Sequence, residues 1–166
     1  MRGPGAFVDT MPVMYSGTLL VHSSLRWIVI VLGLIVVLRA LAGWFGGRPW
    51  TAGDEGASKW FIIVLNVQVL VGLLLYLGIS PLTRAAFSDI GAAMGDRILR
   101  FWAVEHLFGM LIGVALIHTG RARASRAPAG PPRHRLTAIF VTLGLLVILA
   151  SIPWPGAAAG RPLLPW

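Results

Sequence analysis

The sequence contains no cysteine and only six acidic residues among its 166 positions. Without cysteine there is no disulfide, no thiolate metal site, no iron–sulfur cluster and no haem attached through a thioether. Charged residues of both signs make up 12% of the chain, whereas hydrophobic residues make up 57% and the mean hydropathy is +0.80. This balance excludes a soluble domain, and the length leaves room for one domain only.

Four long apolar runs stand where a soluble domain would alternate polar and apolar residues. Each run is near or above the ~18–20 residues that cross a bilayer core, and a helix satisfies its own backbone hydrogen bonds in lipid. The sequence therefore predicts an all-α fold, an integral membrane four-helix bundle, with an N-terminal extension at 1–17 and a Pro-rich tail at 154–166. Residues 1–13 lack the apolar core of a signal peptide, so the first run is predicted to be retained. The transmembrane domain is 18–153, with spans at about 18–44, 59–79, 97–119 and 136–153.

The connections between the runs are predicted mostly as loops. The first (45–58) and the third (120–135) are rich in Gly, Pro and Arg, which interrupt helices and do not stay in hydrocarbon. In the second (80–96), Ser80-Pro81 stops the preceding helix, and apolar residues then recur at helical spacing. That spacing indicates a short helix lying in the membrane interface, with an irregular loop as the alternative.

The basic residues predict the orientation of the chain. Five arginines and no acid lie in the third connection, whereas the second carries Asp89 and Asp96 beside a single arginine, Arg84. By the positive-inside rule, the first and third connections are cytoplasmic and both termini lie on the non-cytoplasmic side. Lipid headgroups then explain the net charge of +8 better than nucleic acid does.

Two histidines are predicted at matching depth on two parallel helices. His22 lies about four residues into the first run and His106 about six residues beyond Arg100, or roughly 6 and 9 Å along their helices. Two imidazoles from different helices at one level are what a bis-histidine haem needs. Arg26 lies one turn beyond His22 on the same face. An arginine at that depth requires an anionic partner, either a haem propionate or Glu105.

Glycines on the predicted spans would give a flat macrocycle, or a neighbouring helix, room to come close. A polar cluster that only fixes helix register, or a proton path through Glu105 and His106, would use the same surroundings. The haem and the cofactor-free interpretations therefore both stay open. The glycines are Gly33 on the face of His22, Gly72 in the second run, and Gly109 and Gly113 on the face of His106.

The other two histidines form a weaker pair for a second metal site. His118 follows His106 by twelve residues, a spacing typical of two stacked haems, but the helix turns by about 120° over that distance. His134 lies in the Arg-rich third connection and is predicted to be solvated or to face headgroups. No Gly-rich phosphate loop, no HExxH and no oriented Ser–His–Asp set is present, so no catalytic residue is predicted.

Three short segments carry a resemblance to a known family. They are His-Ser-Ser-Leu-Arg-Trp at 22–27, Val-Glu-His at 104–106 and Ser-Ile-Pro-Trp at 151–154. Together they resemble a group of short four-helix bacterial membrane proteins loosely described as cytochrome-b-like, and the resemblance covers residues 14–154. It implies a location in the inner (cytoplasmic) membrane of a bacterium and a b-type haem with His22 and His106 as candidate ligands. Arg133-His134 also matches the family pattern, whereas His118 does not.

The function expected from the sequence is that of a small integral-membrane electron carrier. One haem b would lie between the first and third helices, with Arg26 beside it. A quinol or a larger membrane redox complex would exchange electrons with it. The alternative is an accessory or structural subunit of a larger bioenergetic membrane complex, with no cofactor of its own. An enzyme is the less favoured class, because no catalytic motif is present.

Overall fold

The computed structural model describes the backbone of residues 4–163 and the side chains of residues 13–163. Within that part of the chain every regular element is a helix and no strand is present. Four helical stretches are long and apolar enough to cross a membrane, as the four apolar runs predict. The all-α class is thereby confirmed, and the architecture is that of a multi-pass membrane protein. The four stretches are Val13–Phe45, Ala52–Ile79, Arg97–Arg126 and Pro131–Ala150.

The described chain contains α-helices and two π-helical segments that continue directly into or out of them. The π-helical segments are π1 (Leu75–Ile79) and π2 (Phe101–Glu105). The α-helices are α1 (Pro4–Phe45), α2 (Ala52–Leu74), α3 (Pro81–Ser88), α4 (Ile90–Gly95), α5 (Arg97–Arg100), α6 (His106–Arg126) and α7 (Pro131–Ala150).

Both ends of the first connection are set by backbone-capping motifs. Helix α1 ends in a Schellman motif: Gly47 has a φ of +64°, and the Arg48 N–H donates to the Gly43 carbonyl at 3.0 Å. Helix α2 begins with a capping box, in which the Thr51 N–H donates to Asp54 Oδ2 at 2.9 Å and the Asp54 N–H donates to Thr51 Oγ1 at 3.3 Å. The predicted loop at 45–58 is therefore too long, because its second half is helical.

The third connection is also shorter than predicted. Helix α6 continues to Arg126 and α7 already starts at Pro131, so the predicted loop at 120–135 shrinks to 127–130. Arginines in the last turn of α6 interact favourably with the negative end of the helix dipole. Proline suits the first position of α7, where its missing N–H costs nothing. Helix propensity and capping thus extend both helices into a segment whose composition indicates a loop.

The second connection is helical, as one of its two interpretations predicts. Ser80 caps α3, with Pro81 at the first helical position, and Asp89 caps α4 by accepting the Ala92 N–H at 2.9 Å. Phe87 and Ile90 are each half exposed. The tail from Pro153 onward contains turns and no helix within the described residues, in agreement with its four prolines. The N-terminal helix begins at Pro4, so most of the predicted 1–17 extension is helical backbone.

The chain divides into two compact units. The first, here the terminal unit, contains the chain up to Arg26, Val67–Leu107 and the chain from Pro153. The second, here the central unit, contains Trp27–Asn66 and Phe108–Ile152. The core of the central unit is apolar, and its buried members are Val29, Val36, Phe61, Leu65, Ile117, Val141, Leu145 and Ile148.

Helices α6 and α7 of the central unit touch through glycines. A Cβ on Gly113 would lie 2.9 Å from the Gly144 carbonyl oxygen, and a Cβ on Gly144 would lie 2.8 Å from the Gly113 carbonyl oxygen. Ser151 fills the space beside Gly109, and Phe140 fills the space beside Gly120. The two backbones are therefore in contact over several turns, which is the packing mode of membrane helices that carry small residues at their interface.

Candidate functional site

The terminal unit brings His22 and His106 into one polar cluster. His22 comes from α1, and His106 is the first residue of α6. His22 interacts electrostatically with His106 and with Arg26, one turn further along α1. All three residues predicted for the haem site therefore belong to the same compact unit.

The His22 imidazole is held from one side by α2. The Gln68 side-chain amide donates to the His22 backbone carbonyl at 3.0 Å and lies 3.4 Å from His22 Nε2. Gly72 gives the ring its space, because a Cβ there would lie 2.9 Å from His22 Cε1. His22 Nδ1 is buried and has no hydrogen-bond partner among the described residues. The Gln68 amide thus lies beside Nε2, and Nδ1 is the buried ring nitrogen without a hydrogen-bond partner among the described residues.

The His106 ring lies against two aromatic side chains of π2. Its ring centre is 5.8 Å from that of Phe101 and 5.5 Å from that of Trp102. The Arg161 guanidinium of the tail lies over Trp102, 4.7 Å from the ring centre, and donates to the Tyr15 hydroxyl at 2.9 Å. The cation–π contact therefore attaches the tail to Trp102, which packs against His106 at the start of α6. The hydrogen bond from Arg161 to Tyr15 attaches the tail to α1.

The two π-helical segments are joined by a hydrogen bond that the sequence did not predict. The Tyr76 hydroxyl in π1 donates to the Ala103 carbonyl in π2 at 2.7 Å. In π1 the Ser80 N–H donates to Leu75, five residues back, and Pro81 has no N–H to offer to Tyr76. Thr83 Oγ1 instead donates to the Tyr76 carbonyl at 2.9 Å. The Ala103 carbonyl of π2 and the Tyr76 carbonyl of π1 therefore each accept a side-chain hydrogen bond from within the terminal unit.

Of the two partners predicted for Arg26, a haem propionate or Glu105, the acid is paired with another residue. Glu105 pairs with Arg100, whose Nε lies 2.7 Å from Glu105 Oε1. In an α-helix, side chains five residues apart point in different directions, but the wider π2 turn aligns position i with i+5. Arg26 donates instead to the backbone carbonyl of Leu163, at 2.6 Å. The tail therefore supplies one hydrogen-bond acceptor for the arginine of the cluster.

The four glycines predicted to let a macrocycle or a neighbouring helix come close are in contact with protein groups. Gly109 and Gly113, on the predicted face of His106, contact α7, and a Cβ on Gly33 would lie 2.9 Å from Leu145 Cδ1. Gly72 contacts the His22 ring itself. Of the two uses that the sequence left open, close approach of protein groups is the one observed at all four positions.

His118 and His134 have separate partners. His118 is exposed, and its Nε2 lies 2.9 Å from Asn66 Oδ1. His134 is only 1% exposed, so its predicted solvation is wrong. Because α7 already starts at Pro131, His134 lies in its first turn and packs against Gly43, with its Nε2 3.3 Å from the Pro49 carbonyl. The four histidines thus occupy three different environments.

Two ion pairs that the sequence did not predict tie helix ends in the central unit. Arg39 of α1 pairs with the buried Asp54 at the start of α2, at 2.8 Å. Arg121 of α6 pairs with Glu55, which also accepts a hydrogen bond from the Trp50 indole at 3.1 Å. These contacts join α1 and α6 to the start of α2. Because each of these charged side chains is paired with another, we take the ion pairs as structural and the cluster of the terminal unit as the candidate site.

The side chains present in the cluster fit a haem by their chemistry. It offers two imidazoles from different helices, one of them with a buried nitrogen that lacks a partner, and an arginine in electrostatic range. A haem iron held by two histidines needs no third protein ligand. Among the described side chains, no three His, Cys, Asp or Glu come together as a site built from protein ligands alone would require.

Fold and site define a multi-pass membrane protein with a two-histidine polar cluster. No protein-family model, no curated protein and no solved structure matches the chain. The cytochrome-b-like resemblance of residues 22–27, 104–106 and 151–154 therefore stays a prediction.

Proposed function

We propose that the protein is a small integral-membrane electron carrier that holds one haem b between His22 and His106. The observation that carries the proposal is that both imidazoles lie in one unit in electrostatic range, with His22 Nδ1 buried and without a hydrogen-bond partner among the described residues. Burying an imidazole nitrogen without a partner costs free energy, and a ligand in the cluster would remove that cost.

Each residue of the cluster has a role in this proposal. His22 and His106 would hold the iron, and the Gln68 amide, which donates to the His22 backbone carbonyl, would fix that turn of α1. Arg26 supplies a positive charge near His22 and suits a propionate. Phe101 and Trp102 line the His106 side with apolar surface. When bound, the haem would accept and release one electron, with no substrate chemistry of its own.

The surroundings proposed for the carrier follow from its charge and its apolar helices. The protein would lie in the inner membrane of a bacterium, with the arginines of 120–135 in the cytoplasm and both termini outside. The two-histidine cluster would then lie toward the outer side. A quinol, or a larger membrane redox complex, would deliver or collect the electron there.

Haem content of purified variants tests the proposal. The wild-type protein, expressed with an ample haem supply, is expected to purify with about one haem per chain. His22→Ala and His106→Ala are each expected to lose most of it while still inserting into the membrane. His118→Ala is the matched control, because His118 contacts Asn66 and not the cluster. Equal haem content in all three variants would contradict the proposed ligands.

A cofactor-free accessory subunit is the second candidate, and one observation favours it. All four glycines expected to make room for a macrocycle contact protein groups instead. In this candidate the cluster fixes helix register through its hydrogen bonds. A wild-type protein that purifies colourless from haem-supplemented cells, and does not bind added haem, would favour the accessory subunit over the carrier.

A further inference from the structure

A hydrogen-bonded polar pair lies on the outward surface of two membrane-spanning helices. Asn66 is close to the middle of the Ala52–Ile79 stretch, and His118 lies within the Arg97–Arg126 stretch. Their side chains bond to each other at 2.9 Å, yet both residues are exposed. The exposed residues Ile63, about one turn before Asn66, and Leu111, about two turns before His118, are apolar, as expected for a surface in lipid. Polar groups that face hydrocarbon are costly, so this surface requires another occupant than lipid tails.

The bond between Asn66 and His118 leaves one donor group and one acceptor group of the two side chains without a partner among the described residues. Because Asn66 Oδ1 accepts, His118 Nε2 carries the hydrogen and donates, which leaves His118 Nδ1 as an acceptor. The Asn66 amide nitrogen keeps its donor hydrogens. Within the described residues, the bond between these two side chains is the only hydrogen bond that either makes. These two groups belong to exposed residues and have complementary chemistry, a donor and an acceptor.

Small side chains beside the pair would let a second helix approach closely. Ala115, Thr119 and Ala122 are exposed on α6, at about one-turn intervals next to His118. Closely packed membrane helices carry small residues at this spacing, because the backbones must come near before side-chain hydrogen bonds can form. The polar pair and the small residues therefore mark the same outward face of α6.

We infer that this face of Asn66, Ala115, His118 and Thr119 binds a second copy of the same chain. A donor beside an acceptor is self-complementary under two-fold symmetry. The Asn66 amide of each copy would donate to His118 Nδ1 of the other, so that both leftover groups are satisfied at once. A different partner would have to supply the same two groups independently. The polar pair is thus incomplete in one chain and complete in two.

Cysteine cross-linking tests this dimer directly, since the natural chain has no cysteine. Single variants Ala115→Cys and Thr119→Cys place a thiol on the proposed face. Leu146→Cys is the control, because Leu146 is 58% exposed on α7, away from that face. In membranes at low protein density, oxidation is expected to give a covalent homodimer from position 115 or 119 and none from position 146. Mass spectrometry of the product identifies the partner.

Removal of the pair is expected to weaken the dimer. In the cross-linking background, Asn66→Leu or His118→Leu should lower the association constant about 3- to 30-fold, the range that interhelical hydrogen bonds cover in membranes. Monodisperse elution and unchanged helix content show that each variant folds. Cross-links of equal yield at 115, 119 and 146, no homodimer at 115 or 119, or a product that contains another protein would each overturn the proposal. None of these outcomes depends on whether haem is bound.

Discussion

The contact between α6 and α7 predicts the effect of adding one methyl group. In Gly113→Ala the new Cβ would lie 2.6 Å from Ile148 Cγ1 and 2.9 Å from the Gly144 carbonyl oxygen. Ile148 has flexible ends, but the Gly144 carbonyl moves only if the helices separate. Overpacking of this kind costs about 1–3 kcal/mol. Replacing glycine by alanine within a helix recovers up to about 1 kcal/mol, so the net effect alone would be ambiguous.

Gly56→Ala provides the matched control that removes this ambiguity. Gly56 also lies inside a helix, but nothing lies within 4 Å of a Cβ built there. Both variants gain helix propensity and only Gly113→Ala meets the clash. Gly113→Ala should therefore be less stable than Gly56→Ala by about 1–3 kcal/mol in unfolding from detergent micelles followed by circular dichroism. Equal stability of the two variants would refute the direct contact between the α6 and α7 backbones.

Three further predictions concern the cluster, the π-helical segments and the orientation. Arg26→Leu should lower the haem midpoint potential by tens of millivolts in a redox titration, because a positive charge stabilises the reduced form, whereas Arg26→Lys should not. Tyr76→Phe should cost about 0.5–1.5 kcal/mol in unfolding, because the Ala103 carbonyl loses its bond from the hydroxyl; unchanged stability would show that the bond contributes nothing. Reporter fusions after Arg126 should be cytoplasmic and fusions after Trp166 external, and the reverse pattern would invert the proposed topology.

The sequence predicts the helices well and their ends poorly, for a physical reason. Four apolar runs leave few alternatives to four membrane helices, because unpaired backbone groups cannot remain in hydrocarbon. The ends depend on local bonds that composition does not reveal. The Thr51–Asp54 capping box starts α2 inside a segment, 45–58, that contains four glycines. Pro131 likewise starts α7 before the arginines that indicate a loop.

The site was partly predictable for the same reason. Residue counts along straight helices predict His22 and His106 as a pair, and both lie in the terminal unit within electrostatic range of each other. The partner of Glu105 did not follow, because π2 changes the angle between positions five residues apart. The sequence also does not predict which side chain packs against each glycine, because that depends on how helices distant in sequence pack together. The burial of His134 depends on the same packing.

The absorption spectrum of the purified wild-type protein, combined with electron paramagnetic resonance of its oxidised form, tests the central claim most directly. A haem held by His22 and His106 predicts b-type bands that sharpen on reduction with dithionite, and a low-spin ferric signal typical of two imidazole ligands. Both signals should disappear together in His22→Ala and persist in His118→Ala. A protein that is folded and colourless after expression with ample haem, or a haem whose spectrum is the same without His22, would contradict the account.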